Sequence, residues 1–211
     1  MSDTKTITAI EVQAKRKDRY SVFLDDEFAF GIHQDVLLKS GIAKGDRLTE
    51  KQIAEILDLE ERKAAKDKAM RLLAVRARSK KELEDRLARK YPAQTIDWVL
   101  KELERLGLID DAQFAIMFAR SRMVTRPEGA MLLRRELLQK GVAEKDIEKA
   151  IEEAYREKSE REIAREVAQK RKRSLSYVEE TKAKKRLADF MLRRGFQWDV
   201  VKDIIENWET L

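Results

Sequence analysis

The chain has no cysteine and a single histidine, His33, among its 211 residues. The lack of cysteine excludes a disulfide scaffold, a thiolate zinc site and a cysteine nucleophile. Serine–histidine catalysis or a multi-histidine metal site would have to use His33, and the residues around it form no such motif. We therefore interpret His33 as a residue at the end of a strand, and we expect no catalytic residue, no metal site and no cofactor.

Proline, glycine and long apolar runs are also scarce. Only 2 prolines and 7 glycines occur, while glutamate, lysine, arginine, leucine and alanine are abundant. This composition favours helices over a sandwich, a barrel or a doubly wound sheet. No apolar run approaches the roughly 18 residues of a membrane-spanning helix, and the first ten residues lack a signal-peptide core. We expect a mainly helical cytoplasmic protein that does not contact a membrane.

The net charge of +6 is unevenly distributed along the chain. Residues 66–109 carry 12 basic and 7 acidic side chains, and residues 159–211 carry 13 and 10, whereas residues 110–158 carry 10 of each. The excess of positive charge in the first two of these segments weakly favours a polyanionic partner. Charge alone does not predict DNA binding, because helices rich in i,i+4 ion pairs have similar compositions.

The N-terminal part of the chain has the pattern of strands. Alternating apolar and polar residues predict strands over 6–12, 20–24 and 27–31, with a tight turn at Asp25–Asp26. An isolated meander of this size is only marginally stable, so it must pack on another element. The other segments of this region are a charged stretch at 15–19, a short helix at 34–38 and a turn at 42–46.

From Thr49 onward the apolar residues recur with a helical period. Thr49, Ser79 and Asp110 each precede a glutamine or glutamate by three residues, which is the pattern of a capping box. Pro92 and Pro127 fit the first turns of helices. The glycines at 107, 141 and 195 fit left-handed C-terminal caps. These markers predict helices over 49–77, 79–90, 92–106, 110–124, 127–140, 143–170, 176–194 and 197–209.

The helical segments repeat. Five residues of one segment recur 54 positions later with the same spacing, and Leu83 and Leu87 match the first two of them 50 positions earlier. We therefore predict three units of three helices each, in which every unit buries part of its apolar face on its neighbour. The matching residues are Leu133, Leu137, Gly141, Ile147 and Ile151 in one unit and Leu187, Met191, Gly195, Val201 and Ile205 in the next.

One motif in these units resembles that of a known family. Residues 107–122 read Gly-Leu-Ile-Asp-Asp-x-x-Phe-Ala-x-x-Phe-Ala-x-x-Arg, and Gly129 and the run 135–142 follow. Together with residues 72–83, this pattern is similar to that of the RecX family of regulatory proteins. The resemblance is strong over about residues 60–155 and weaker beyond, since the third unit lacks the Asp-Asp and Phe-Ala elements. The N-terminal meander resembles an extension that only some members have.

The resemblance implies both a fold and a function. It implies tandem three-helix repeats in an elongated, curved array, with domains at 1–48, 49–109, 110–158 and 159–211. It also implies a non-enzymatic, monomeric protein that binds RecA filaments on single-stranded DNA and inhibits ATP hydrolysis, strand exchange and coprotease function. DNA repair, recombination and the SOS response would be its setting. The motif residues themselves are explained by packing, with Asp110 capping a helix and Phe114, Met117 and Phe118 forming its buried stripe.

Candidate partner-binding residues are identified by charge. The first helix of each unit ends in a basic run, and a further basic cluster follows in the third unit. If the units stack alike, these runs lie along one edge, where arginine forks engage carboxylates or phosphates. Alternatively, the cations complement helix dipoles. The candidates for binding RecA, with weak nonspecific DNA binding, are Arg76, Arg78, Arg120, Arg122, Arg126, Lys170, Arg171, Lys172, Arg173, Lys182, Lys184, Lys185 and Arg186.

A direct nucleic-acid-binding protein without recombinase specificity is the alternative function. Three-helix units resemble helix-turn-helix domains in outline, and the net charge is favourable. Against this alternative, no helix presents a patterned set of base-reading side chains, and the aromatic residues fall mainly on apolar faces.

Overall fold

The computed structural model describes residues 4–211, which form four strands and ten α-helices. The strands are β1 (Thr4–Gln13), β2 (Arg16–Leu24), β3 (Glu27–His33) and β4 (Arg47–Thr49). The helices are α1 (Gln34–Ser40), α2 (Glu50–Val75), α3 (Lys80–Leu87), α4 (Ala93–Arg105), α5 (Asp111–Thr125), α6 (Ala130–Gln139), α7 (Glu144–Ala154), α8 (Glu160–Arg173), α9 (Glu180–Arg193) and α10 (Trp198–Glu206). A single 3₁₀ turn, Trp208–Thr210, follows. The mainly helical fold with a small N-terminal antiparallel sheet is therefore confirmed.

The N-terminal sheet has the order β3-β2-β1-β4, so it contains one strand more than predicted. The missed strand, β4, pairs antiparallel with β1 through only three residue pairs. It is too short to show an alternating pattern, and its one buried residue is Leu48. The charged stretch also belongs largely to β2, which begins at Arg16. The turn at Asp25–Asp26 is confirmed, because both residues have positive φ.

Most helix boundaries lie close to the predicted ones, but several predictions are wrong. The predicted helix over 143–170 is interrupted: α7 ends at Ala154, and α8 begins after Ser159. Ser159 and Glu162 form a capping box, so the break has a local signal in the sequence although no glycine or proline lies between the two helices. Neither proline lies in a first turn, since Pro92 is the N-cap of α4 and Pro127 precedes Gly129, the N-cap of α6. Helix α9 begins at Glu180, four residues later than predicted.

The chain divides into two compact units. One comprises the described residues up to Arg76 together with Leu83–Leu108, and the other comprises Ala77–Glu82 together with Ile109–Leu211. In the first unit, Ile7, Val22 and Ile32 of the sheet are fully buried and pack with Ile56 of α2. This packing supplies the partner that the meander requires.

The three-helix repeats are present. The residues predicted to be equivalent, Leu87, Leu137 and Met191, are all fully buried. Gly141 and Gly195 both adopt left-handed φ, at 76° and 81°, immediately after the middle helices of their repeats. Because a side chain is strained in this conformation, glycine permits each helix to end sharply before the next one begins.

Candidate partner-binding surface

Two junctions connect segments of successive repeats, and both lie within the second compact unit, residues 77–82 and 109–211. The first, called here the Ser79 junction, consists of Ser79, Lys80, Asp111 and the Lys140–Gly141 peptide. The buried Ser79 hydroxyl donates a hydrogen bond of 2.7 Å to the Lys140 carbonyl and accepts one of 3.2 Å from the Glu82 backbone N–H. The Lys80 backbone N–H donates to Asp111 Oδ1 at 2.8 Å. Ser79 is therefore both the cap of α3 and a tie to the following repeat.

The second, the Gly129 junction, consists of Gly129, Ala130, Glu160 and the Arg194–Gly195 peptide. The Gly129 backbone N–H donates to the Arg194 carbonyl at 2.8 Å, and the Ala130 N–H donates to Glu160 Oε1 at 3.0 Å. A Cβ atom on Gly129 would overlap the backbone of Gly195. The two junctions thus have the same plan, in which the start of a middle helix meets the glycine cap of the next repeat.

The junctions give Asp111 and Glu160 roles that the sequence did not reveal. Each is the first residue of its helix and accepts a backbone N–H from the preceding repeat. Asp110, by contrast, only caps α5, since its Oδ1 accepts from the Gln113 N–H at 2.9 Å, as predicted. The prediction that Met117 of the same helix is buried is wrong, because this side chain is 52% exposed. The constant spacing of the repeats does not align Asp111 with Glu160, because fewer residues separate Asp111 from Leu133 than separate Glu160 from Leu187.

The first two basic runs contain residues in different environments. Arg76 is the exposed C-cap residue of α2, and Arg78 is half-buried in the connection to α3. Arg120 is paired with Glu153. Arg122 pairs with Glu136 at 2.7 Å and lies over the Phe118 ring at 4.8 Å. Arg126, the C-cap residue of α5, is exposed.

The third basic run divides between structural and exposed residues. Lys172 Nζ donates to the Trp208 carbonyl at 2.6 Å and lies over the indole ring, while the Arg171 guanidinium lies over Phe190. Four consecutive cations predict four solvated side chains, and this prediction is wrong for Lys172 and Arg171, because their stems pack on aromatic rings. Lys170 and Arg173 are exposed.

The last cluster lies on α9. Lys184 pairs with Glu180 and lies 5.8 Å from the centre of the Trp208 ring. Lys182, Lys185 and Arg186 are exposed, and no ion pair is found for them among residues 4–211. The structure thus separates candidates that are engaged in packing or ion pairs from those that face solvent.

A buried carboxylate, Glu128, was not identified from the sequence. It is fully buried in the connection between α5 and α6, and neither carboxylate oxygen has a hydrogen-bond partner. Burial, and next the nearby charge of Glu136, raise its pKa above the usual range, although Arg122 Nε lies 3.8 Å away. The residues next to Glu128 in the sequence do not predict its burial. Only the packing of the connection between α5 and α6 shows that this carboxylate is buried.

Neither a cluster of metal-binding side chains nor a membrane-spanning helix is found in the part of the chain that the structure describes. No cluster of three or more histidine, cysteine, aspartate or glutamate residues among residues 4–211 has a geometry that could hold a metal ion. None of the helices in that range is long and apolar enough to cross a bilayer.

Family models match the chain over most of its length. "Regulatory protein RecX N-terminal domain" matches residues 5–49, and the first, second and third RecX three-helix domains match residues 65–103, 110–151 and 159–205. The match to the third domain extends the resemblance to the part of the chain where the motif is weakest.

Individual proteins support the same relationship. A protein named Regulatory protein RecX from Bacillus cytotoxicus is 34% identical over 206 residues, which are 95% of this chain and 76% of that protein. One from Levilactobacillus brevis is 37% identical over 143 residues, 67% of this chain and 53% of its own length. A crystal structure of a regulatory protein RecX superposes with a TM-score of 0.75 at 30% identity, covering 94% of this chain and 99% of the other. RecX from Lactobacillus salivarius has the same fold, with a TM-score of 0.61 at 22% identity over 72% of this chain and 99% of that one.

Proposed function

Because this chain belongs to the RecX family of regulatory proteins, we propose that it regulates the RecA recombinase by binding assembled RecA filaments on single-stranded DNA. In this proposal the bound protein restrains the filament and slows ATP hydrolysis, strand exchange and coprotease activity. It acts as a monomer in the cytoplasm, without catalytic activity of its own, during DNA repair, recombination and the SOS response.

The distribution of exposed cations supports this proposal. Arg126 lies at the end of the first helix of the second repeat, and Lys170 and Arg173 lie at the end of the corresponding helix of the third. No ion pair is found for these three side chains among the described residues. They are therefore available to the anionic groups of a repeating nucleoprotein surface.

Multiple contacts explain why a filament is favoured over its components. A protein that touches two or more protomers makes its second contact at high effective concentration, whereas free RecA offers only one. Naked DNA would be held by a modest positive field alone, which binds weakly and independently of sequence. At physiological salt we expect a preference of at least about tenfold for the filament, a difference of about 1.4 kcal/mol or more.

The test measures binding to three targets: RecA filaments on single-stranded DNA with a slowly hydrolysed nucleotide, the same DNA alone, and free RecA. ATP hydrolysis by RecA is followed in parallel, and we expect it to slow at substoichiometric amounts of the protein. Equal affinity for naked DNA and filament, with no effect on hydrolysis, would instead favour direct nucleic-acid binding.

A charge-reversal variant tests the contribution of the third basic run. The change Lys170→Glu with Arg173→Glu should leave the fold intact, weaken filament binding and reduce its salt dependence, because fewer ion pairs form. The matched control reverses two exposed cations on α7, Lys145→Glu with Lys149→Glu. If both variants weaken binding equally, the effect is one of net charge and this run is not part of the interface.

A further inference from the structure

A groove of about 830 Å³ lies within the second compact unit. Helix α6 forms one side of it, and the end of α9 and the start of α10 form the other. We call it the arginine groove, because four arginines line it. The other lining residues are glycine and apolar side chains, and no carboxylate is among them. Its basic members are Arg126, Arg135, Arg193 and Arg194.

The apolar part of the arginine groove is unusually open to solvent. Met131 is 60% exposed, Leu192 is 41% exposed and Trp198 is 61% exposed. Single exposed apolar side chains are common, but neighbours that line one concave surface typically mark a binding site. Trp198 is also the first residue of α10, and its ring is not needed to fill the core, which Phe196 and Val201 already occupy.

The charges around the arginine groove are only partly neutralised within the chain, since the buried Glu128 carboxylate attracts Arg126 and Arg194 electrostatically but accepts no hydrogen bond. For Arg126, Arg135 and Arg193, no ion pair is found among the residues that the structure describes. Arg194 donates from Nη1 to the Pro127 carbonyl at 2.8 Å, but its buried Nε has no acceptor. Burial, followed by the positive charge of Arg126, lowers the pKa of Arg194. An anion in the groove would relieve this repulsion.

The shape of the arginine groove distinguishes between anionic partners. Nonspecific binding of single-stranded nucleic acid uses successive aromatic rings on which bases stack. Of the aromatic rings that line the groove, only Trp198 is strongly exposed, since Phe196 is buried and Phe190 is partly buried. Leu132 and Met131 add aliphatic surface. A concavity of mixed apolar side chains without a row of exposed rings instead fits a large apolar side chain, while arginine forks match carboxylates in a bidentate manner.

We propose that the arginine groove binds an acidic protein segment, whose carboxylates pair with the arginines and whose large apolar side chain inserts beside Met131, Leu192 and Trp198. This inference rests on the groove alone and does not depend on the proposed RecA function. It adds a recognition site that combines charge with apolar anchoring and that shares only Arg126 with the basic runs.

The experiment uses the full chain and three fluorescein-labelled dodecapeptides. One contains aspartate and glutamate around a central phenylalanine, the second has alanine at the centre, and the third replaces the acids by their amides. We expect the phenylalanine peptide to bind at least about tenfold more tightly than the alanine peptide, because a buried aromatic side chain is lost. The amide peptide should not bind measurably.

Variants locate the binding. Arg135→Glu with Arg193→Glu should weaken binding of the phenylalanine peptide by at least about tenfold, whereas the matched control on α7, Lys145→Glu with Lys149→Glu, should change it by less than about twofold. Trp198→Ala should remove the difference between the phenylalanine and alanine peptides. Because these residues are exposed, all variants should remain folded, as circular dichroism will verify.

Three results would overturn the inference. The first is equal binding of the phenylalanine and alanine peptides. The second is an equal loss of binding in the α7 control. The third is tighter binding of a twelve-nucleotide oligothymidylate than of the peptide, with the same dependence on Arg135 and Arg193, which would identify a nucleic-acid site. Filament binding is measured separately, so a failed filament assay with intact peptide binding rejects the RecA proposal alone.

Discussion

The Ser79 junction and the Gly129 junction meet the same geometric requirement with different chemistry. In the first, a side-chain hydroxyl reaches the carbonyl before the glycine cap, and Lys140 pairs with Glu82 at 2.8 Å. In the second, backbone lies directly on backbone, without a side chain between Gly129 and Gly195. A polar side chain can be shortened at modest cost, whereas a backbone contact leaves no space for any side chain. We therefore expect the two junctions to differ in their tolerance of substitution.

The largest effect is expected for Gly129→Ala. The added methyl group would overlap the backbone of Gly195, which cannot rotate away as a side chain can, so we expect a loss of about 3 kcal/mol in unfolding free energy. Chemical denaturation of the full chain measures it. Gly107→Ala is the matched control, because Gly107 has φ 67° and open space around it, and it should cost only about 1 kcal/mol. Equal losses in the two variants would show that the backbone contact is not close.

A smaller effect is expected for Ser79→Ala. This change removes the cap of α3 and the hydrogen bond to the partly buried carbonyl of Lys140. We expect a loss of about 2 kcal/mol in unfolding free energy. Ser79→Thr retains the hydroxyl but adds a methyl group. Comparison of the two variants therefore distinguishes loss of the hydrogen bond from a change in side-chain volume. If Ser79→Ala is as damaging as Gly129→Ala, the contrast between the junctions is wrong.

The smallest effect is expected for Glu128→Gln, and its sign depends on pH. Because the pKa of Glu128 is raised in the folded chain, the folded state binds more protons than the unfolded state between the ordinary carboxyl pKa and the raised value. Stability from this group is fully present below the ordinary pKa and is lost as pH rises through the raised one. The variant should therefore gain stability relative to the parent chain as pH rises across this window. Denaturation midpoints of both proteins are measured from about pH 4, near the ordinary carboxyl pKa, to about pH 8. Parallel curves would contradict the assignment.

Part of the fold was predictable because its signals are local. A capping box needs only Thr49 and Gln52, and both hydrogen bonds form. The repeat was visible because a buried helix face imposes constant spacing, as Leu137 and Met191 show. β4 could not be predicted, since three residues carry no pattern and its position depends on pairing with the distant strand β1. The break between α7 and α8 was predictable in principle from the capping pattern at Ser159.

For the candidate site, the sequence determined which residues are charged but not which charges are available. Four consecutive cations look alike at 170–173, yet two pack on aromatic rings that other segments of the chain provide. The arginine groove likewise joins residues of α6, α9 and α10 that are far apart in sequence. Local propensity and periodicity determined the helices, their caps and the repeat, because these depend on neighbours along the chain. Only tertiary packing decided which arginines remain exposed and where Glu128 is buried, because burial depends on segments that meet in space.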